Sequence, residues 1–431
     1  MKELLRSVIF DQQPDQWNEG FIRRQIPDTV MQGEEIVVIS GIRRCGKSTL
    51  LNQIRYFHEE KDYYLNFDDE RLIHFRVDDF QLLYETFIEL FGLQQTFYFD
   101  EIQNVPGWER FVRRLHDQRN KVYLTGSNAT MLSLELGTHL TGRYVTIELY
   151  PFSFREFLQF KGQPVSAKEL SATKGRATLQ RLFSEYLTQG GFPSYLKSGN
   201  SEYLKSLFES ILYRDVMVRN RLTGERELLE LVNYLASNLS RPASFNALAG
   251  ITGVKNATTI KNYLYFLQNS YLLFLVSKFD FALKKQIQNA KKIYFIDNAL
   301  VKRIGFTFSG ELGRYLENLV FIELKRRSAE IFYYHDRLEC DFIERKRIGV
   351  HNAIQVCYTL DGAETRDREV AGLKAAMEQF NVPTGMILTN DQEETITAGD
   401  KKISVIPVWK WLLKEQVDQR TSGPVDQRTS L

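Results

Sequence analysis

A chain of 431 residues exceeds one ordinary hydrophobic core, so two or three domains are expected. Hydrophobic residues make up 43% and charged residues 26%, and no apolar run reaches the length of a membrane-spanning helix, which argues against a transmembrane role. The net charge of +2 neither demands nor excludes nucleic acid, since a local basic face can coexist with acidic surfaces elsewhere.

The first residues, MKELLRSVIFDQQPDQW, carry acidic and polar groups where a signal peptide would place its apolar stretch, so the chain reads as cytoplasmic. Three cysteines, Cys45, Cys340 and Cys357, are odd in number and far apart, which argues against a disulfide framework or a zinc cluster. Arg23-Arg24 follows the apolar Phe21-Ile22. The pair either faces a nucleotide or sits on a solvated surface, and the surface is the preferred reading.

Residues 35–51, EIVVISGIRRCGKSTLL, pass from an apolar strand through a glycine loop into a helix, with the spacing G-x-x-x-x-G-K-[ST] of a phosphate-binding loop. Backbone N–H groups must curl around a polyphosphate, and Gly41 and Gly46 permit the curl. Lys47 reaches the β- and γ-phosphates, Ser48 holds Mg²⁺, and the helix N-terminus adds partial positive charge. Gly41, Arg44, Cys45, Gly46, Lys47, Ser48 and Thr49 form the candidate ATP cradle. Near a helix N-terminus the Cys45 thiol would tend toward a lower pKa and alkylation, unless only its backbone contributes.

A helix to about residue 59 is followed by strands at 63–67, 96–99, 121–124 and 144–149, separated by helices at 77–91, 108–119 and 131–136. This alternation predicts a parallel, doubly wound α/β sheet with its ligand at the strands' C-terminal ends. Asp100-Glu101 closes the second of these strands. The Asp would hold Mg²⁺ through water and the Glu would polarise the water attacking the γ-phosphate, although Asp100 could instead cap the next helix. Asn128, after the next strand, is placed to touch the γ-phosphate. Arg143 is either an arginine finger acting in a neighbouring subunit of a homo-oligomer or one half of a surface ion pair.

From Pro151 the pattern turns helical, with helices at 152–161, 176–187 and 201–219 and a break at Gln189-Gly190-Gly191-Phe192-Pro193. After a helix at 228–238, short helices at 244–249 and 257–267 precede a strand pair at 271–281, the order of a winged helix. Its second helix and the turn before it carry Lys255, Asn256, Thr258, Thr259, Lys261 and Asn262, and Lys284, Lys285, Lys291 and Lys292 follow in or after the wing. These groups could meet DNA, whereas Tyr263, Tyr265 and Phe266 read as core. An α/β pattern returns from 293: strands at 293–296, 331–334, 340–344, 353–357 and 385–389, with helices at 313–327 and 368–380. VDQRTS occurs twice between 417 and 430, and its polarity predicts a disordered tail.

GIRRCGKSTLL, YLNFDDERL, FDEIQNVPGWERFVRRLHD, TGSNATMLSLELGTHLTGR and GGFP together resemble a widespread family of bacterial and archaeal AAA-type ATP-binding proteins with a C-terminal domain of unknown function. The resemblance covers most of the chain. It implies an ATPase core with strand order 5-1-4-3-2, a winged helix, and a C-terminal domain like the restriction-endonuclease fold. By that likeness Lys47, Ser48, Asp100, Glu101, Asn128 and Arg143 match the loop, metal, catalytic, sensor and finger positions. The expected divisions are a P-loop ATPase core at 1–150, a helical lid at 151–225, a winged-helix-like unit at 226–283, a nuclease-like domain at 284–415 and a tail at 416–431.

A nuclease site on that fold needs an acidic residue at a strand start and Glu-x-Lys on the next strand. Asp341 and Glu317 fit the acidic positions, but the next strand reads Gln355-Val356-Cys357, without the second carboxylate or the lysine. A nuclease-like fold with little or no cleavage is expected, unless Glu339 or Glu344 moves into the site. The expected function is a Mg-dependent ATPase coupling nucleotide state to its winged-helix and C-terminal regions on or near DNA. The rivals are an ATP-dependent nuclease, a slow nucleotide-gated protein-binding scaffold and a P-loop kinase.

Overall fold

The computed structural model describes residues 1–14, 21–24, 30, 33–127, 140, 142–306, 312–327, 330–346, 349–399 and 401–414. Asn128, the expected helix at 131–136 and the tail from 416 lie outside them. No helix among the described residues is long and apolar enough to cross a membrane.

The first sheet contains β1 (Ile36–Gly41), β2 (Tyr64–Asn66), β3 (Thr96–Asp100), β4 (Lys121–Gly126) and β5 (Tyr144–Leu149). Its order is β2-β3-β4-β1-β5 with every neighbouring pair parallel, which is the expected order read from the other edge. Parallel pairing needs crossovers, and the helices Lys47–Phe57, Phe80–Phe91 and Trp108–Asp117 supply them. Both faces are therefore covered, and side chains alternate between two cores. Val37 and Ile39 pack with Leu50, Leu51 and the helices beyond Pro151, while Ile36 and Val38 pack with Phe97, Phe99 and Leu124. β1, between β4 and β5, delivers its loop to the sheet's C-terminal edge.

Beyond the first sheet, the expected helix at 201–219 is an α-helix, Ser201–Ser210, continued by a π-helix, Ile211–Val218. The double glycine of GGFP serves a buried carboxylate. Gly190 has φ +64, and a Cβ there would stand 2.0 Å from Asp297 Oδ1. Gly191 N–H donates to Asp297 Oδ2 at 2.7 Å, and Asp297 caps the helix Asn298–Ile304.

Helix Glu225–Ser237, β6 (Pro242–Ala243), helices Phe245–Thr252 and Ala257–Asn269, β7 (Leu273–Lys278) and β8 (Lys291–Phe295) follow. β8 pairs antiparallel with both β6 and β7. The strand pair expected within 271–281 is a single strand. After β7 the Phe279 N–H bonds the Tyr333 carbonyl at 2.8 Å, so the chain runs on and turns back only through the helix Leu283–Gln288. The expected boundary after residue 283 thus falls between two paired strands.

The second sheet continues through β9 (Glu330–His335), β10 (Glu339–Lys346), β11 (Gly349–Val356), β12 (Thr384–Thr389), β13 (Glu394–Ala398) and β14 (Lys401–Pro407). Its order is β13-β14-β12-β11-β10-β9-β7-β8-β6. β9, β10 and β11 are antiparallel, and β11, β12 and β14 are parallel. Helices Leu312–Arg326 and Ala363–Gln379 pack against it. β13, β14 and the helix Val408–Leu413 had no counterpart in the sequence reading.

Candidate functional site

The loop after β1 is held by close backbone packing. A Cβ on Gly41 would lie 2.2 Å from the Leu149 carbonyl of β5, so only glycine allows this approach. Arg44 and Gly46 take positive φ of 66° and 104°, which coils the chain ahead of the helix. The first intrahelical bond runs from Leu50 N–H to the Gly46 carbonyl at 2.9 Å, so the N–H groups of Lys47, Ser48 and Thr49 have no partner within the helix. The buried Lys47 ammonium bonds the Gly41 and Ile42 carbonyls at 3.2 and 3.3 Å and stands 3.9 Å from the Glu101 carboxylate.

Asp100 is fully enclosed and accepts hydrogen bonds from the Ser48 and Thr125 hydroxyls and, at 3.3 Å, from Tyr64. Burial pushes its carboxyl above the usual range, and the Thr125 and Ser48 bonds oppose that shift. Glu101 adopts a left-handed φ of 53° and donates its N–H to Thr125 Oγ1 at 2.9 Å. Gln103 Nε2 donates to its carboxylate at 2.5 Å. Thr125 therefore fixes both acidic residues, a role the sequence reading missed. The Ser127 hydroxyl is buried without a hydrogen-bond partner two residues further on. Mg²⁺ beside a nucleotide takes phosphate oxygens and waters together with one hydroxyl and one acidic partner, and the Ser48–Asp100 pair fits that demand.

The expectation for Cys45 is corrected. Its side chain is fully buried, and desolvation raises the thiol pKa against the opposing charges of Lys47 and Arg24. Arg24 is likewise no surface group: it is 8% exposed, pairs with Glu156 at 3.0 Å and donates to the Tyr150 carbonyl at 2.5 Å. Arg143 lies at the opposite end of β1 from the loop, where its carbonyl accepts from Ile36 N–H at 2.9 Å. Its guanidinium stands 3.3 Å from Asp117. Six residues of strand separate it from Lys47's end of the sheet, roughly 20 Å.

Groups from the rest of the chain meet the loop and the strand ends beside it. Arg43 forms a two-pronged pair with Asp215 of the π-helix at 3.0 and 3.3 Å, and Arg214 pairs with Asp68 at 2.6 Å. One Arg219 guanidinium nitrogen is buried without a hydrogen-bond partner, and desolvation lowers that residue's pKa against the charges of Asp215 and Glu101. Tyr271 OH bonds Ser40 Oγ of β1 at 2.8 Å. The sequence reading contains none of these contacts.

Asp341 and Gln355 lie on neighbouring β10 and β11, and Glu317, on the helix Leu312–Arg326, shares a lysine partner with Asp341. Asp341 N–H donates to Gln355 Oε1 at 3.2 Å, Val356 N–H donates to Asp341 Oδ2 at 3.0 Å, and Gln355 Nε2 donates to Glu369 at 2.5 Å. Glu344 accepts from Asn352 at 2.7 Å. The unexpected member is Lys292. It is 2% exposed, with Nζ 2.8 Å from Asp341, 3.1 Å from Glu317 and 2.6 Å from Glu339. Lys291 is buried too, so neither lysine is part of an exposed basic wing. Lys255, Asn256, Thr258, Lys261, Asn262, Lys284 and Lys285 are exposed and Thr259 is half-buried. Tyr263 is buried and Phe266 half-buried, but Tyr265 is exposed. Among the described residues no group of three or more His, Cys, Asp or Glu side chains is arranged to hold a metal ion.

A family model described as an AAA domain matches residues 33–158, and one described as a domain of unknown function (DUF8612) matches residues 180–308. An uncharacterized protein of Methanocaldococcus jannaschii is 34% identical over 435 residues, covering 96% of each chain. An uncharacterized protein of Haemophilus influenzae is 33% identical over 329 residues, 72% of this chain and 80% of its own. Cdc6p from Pyrobaculum aerophilum has a TM-score of 0.24 at 12% identity, over 67% of this chain and 96% of its own. AMPPCP-bound DnaA from Aquifex aeolicus has a TM-score of 0.22 at 13% identity, over 56% and 85%. Likenesses at these scores carry no conclusion about this chain. On the phosphate loop, the five parallel strands and the full-length archaeal relative, the chain belongs to this family of AAA-domain proteins.

Proposed function

We propose that the protein is a Mg-dependent ATPase whose nucleotide state is passed to a winged-helix unit and a nuclease-like C-terminal domain acting on or near DNA. The observation that carries the hydrolytic reading is the grouping of Lys47, Ser48, Asp100 and Glu101 at the ends of β1 and β3. Lys47 and the backbone of Gly41, Arg44, Cys45, Gly46, Ser48 and Thr49 hold the phosphates. Ser48 and Asp100 hold Mg²⁺, which when bound neutralises charge developing on the phosphate oxygens. Glu101, freed from Lys47 as that ammonium turns to the phosphate, orients and polarises the attacking water. Asn128 contacts the γ-phosphate, and Arg143, remote from its own loop, reaches the phosphate of an adjoining subunit in a homo-oligomer. The expected result is a large loss of hydrolysis in Glu101→Gln with ATP binding retained; loss of binding as well would count against this division of roles.

The order helix, β6, two helices, β7, β8 supports the winged-helix reading, with the short helix Leu283–Gln288 standing where the wing was expected. The order helix, three antiparallel strands, helix, parallel strand supports the nuclease-like reading. Gln355 and Cys357 leave β11 and its end without the expected carboxylate and lysine, which argues against cleavage, while Lys292 and Glu339 beside Asp341 make Mg²⁺-dependent DNA cleavage lost in Asp341→Ala the result that would overturn this. DNA would meet the exposed Lys255, Lys261, Lys284 and Lys285. Charge reversal at Lys284 and Lys285 should weaken DNA binding and flatten its salt dependence. Binding unchanged across a salt titration would remove this helix from the interface.

A further inference from the structure

Lys292 lies on β8, which pairs with β7 across the expected boundary after residue 283, and its side chain reaches into the C-terminal core. Its ammonium meets carboxylates from two elements, the helix residue Glu317 at 3.1 Å and the β10 residues Glu339 and Asp341 at 2.6 and 2.8 Å. Two of the ammonium's three donors bond Glu317 and Asp341, and Glu339 adds an ion pair. The carboxylates are anchored from behind: Tyr294 OH and the Ser240 side chain bond Glu317, and Val356 N–H bonds Asp341. Desolvation would lower the lysine's pKa, but Asp341, Glu317 and Glu339 outweigh it and hold the ammonium well above its ordinary value. Carboxylates crowded at one buried point cannot all stay ionised without a cation among them.

We infer that the Lys292 ammonium is a built-in cation standing where a divalent metal would otherwise neutralise Glu317, Glu339 and Asp341, and that it ties β8 to β10 and to the helix Leu312–Arg326 without metal. This inference is independent of the ATPase reading. In the natural chain, where these carboxylates are not arranged to hold a metal ion, the cluster is indifferent to Mg²⁺ and Mn²⁺; removing the ammonium leaves them without a cation and free to rearrange around one.

The test uses the full chain without nucleotide, in a Ser48→Ala background that silences the metal position of the phosphate loop, with thermal unfolding in EDTA and in millimolar Mn²⁺. The parent should melt at the same temperature in both. Lys292→Met should melt roughly 5 °C or more lower in EDTA and recover part of the loss with Mn²⁺. Lys292→Met/Asp341→Asn should recover in EDTA and lose the response to Mn²⁺. Should the single variant not fold, the double decides: a folded double supports the built-in cation and an equally unfolded one overturns it. A parent stabilised by Mn²⁺ in a manner lost with Asp341→Asn, a Lys292→Met chain as stable as the parent, or one without Mn²⁺ recovery would each overturn it.

Discussion

Replacing Asp215 with Asn removes a charge while keeping the side chain's shape, and it does so at the junction between the phosphate loop and the helical region. The Asp215 and Arg43 side chains are only 3% and 16% exposed, and two hydrogen bonds at 3.0 and 3.3 Å join them. Breaking a buried pair from one side costs about 3–5 kcal/mol. Arg43 keeps some contact with water, so the lower end applies, about 3 kcal/mol in urea unfolding. Arg43 also lies between Gly41 and Lys47, so its release loosens the cradle before any phosphate arrives. The KM for ATP should rise on the order of tenfold with a smaller change in kcat. A double-mutant cycle with Arg43→Ala isolates the pair, with an expected coupling of about 1–3 kcal/mol. Coupling below about 0.5 kcal/mol would refute the claim that this pair ties the helical region to the loop.

Thr125→Val removes the hydroxyl that donates to Asp100 and accepts from Glu101 N–H, so kcat should fall roughly tenfold or more and the Mg²⁺ requirement should rise. Unchanged Mg²⁺ dependence would show that Thr125 does not position the metal's acidic partner. Burial pushes the Asp297 carboxyl up to about 6 from an ordinary 3.8, opposed by N–H bonds from Gly191, Ala299 and Leu300. Because the folded pKa is the higher one, its titration favours the fold most below about 3.8 and that contribution is lost as pH rises through about 6. The stability of the natural chain minus that of Asp297→Asn, measured by urea unfolding, should therefore fall from about pH 4 to pH 7, and a rise would contradict the buried assignment.

What the sequence made legible was local. The phosphate loop, its strand and its helix occupy one short span, and Asp100-Glu101 closes a β-prone run, so neighbouring residues carry the whole signal. The parallel sheet followed from alternation, and its strand order from the family resemblance alone. Thr125 was hidden because its role depends on the register between β3 and β4, where Phe99 lies beside Leu124. Asp215 stands 172 positions from Arg43, and no periodicity announces such a pair. Lys292 looked like a basic surface group by composition, and only the antiparallel pairing of β7 with β8 carries it into the acidic cluster. β13 and β14 were missed because each pairs an apolar face with exposed polar residues on short strands, and Lys401-Lys402 reads locally as a charged loop.

The most direct measurement is ATP hydrolysis by the natural chain and by Lys47→Ala, each with Mg²⁺ or EDTA and with or without DNA. The natural chain should hydrolyse ATP only with Mg²⁺, and Lys47→Ala should lose the activity in every condition, because its ammonium is the one positioned between the loop carbonyls and Glu101. No hydrolysis by the natural chain in any of these conditions, or hydrolysis by Lys47→Ala at the natural rate, would contradict the account.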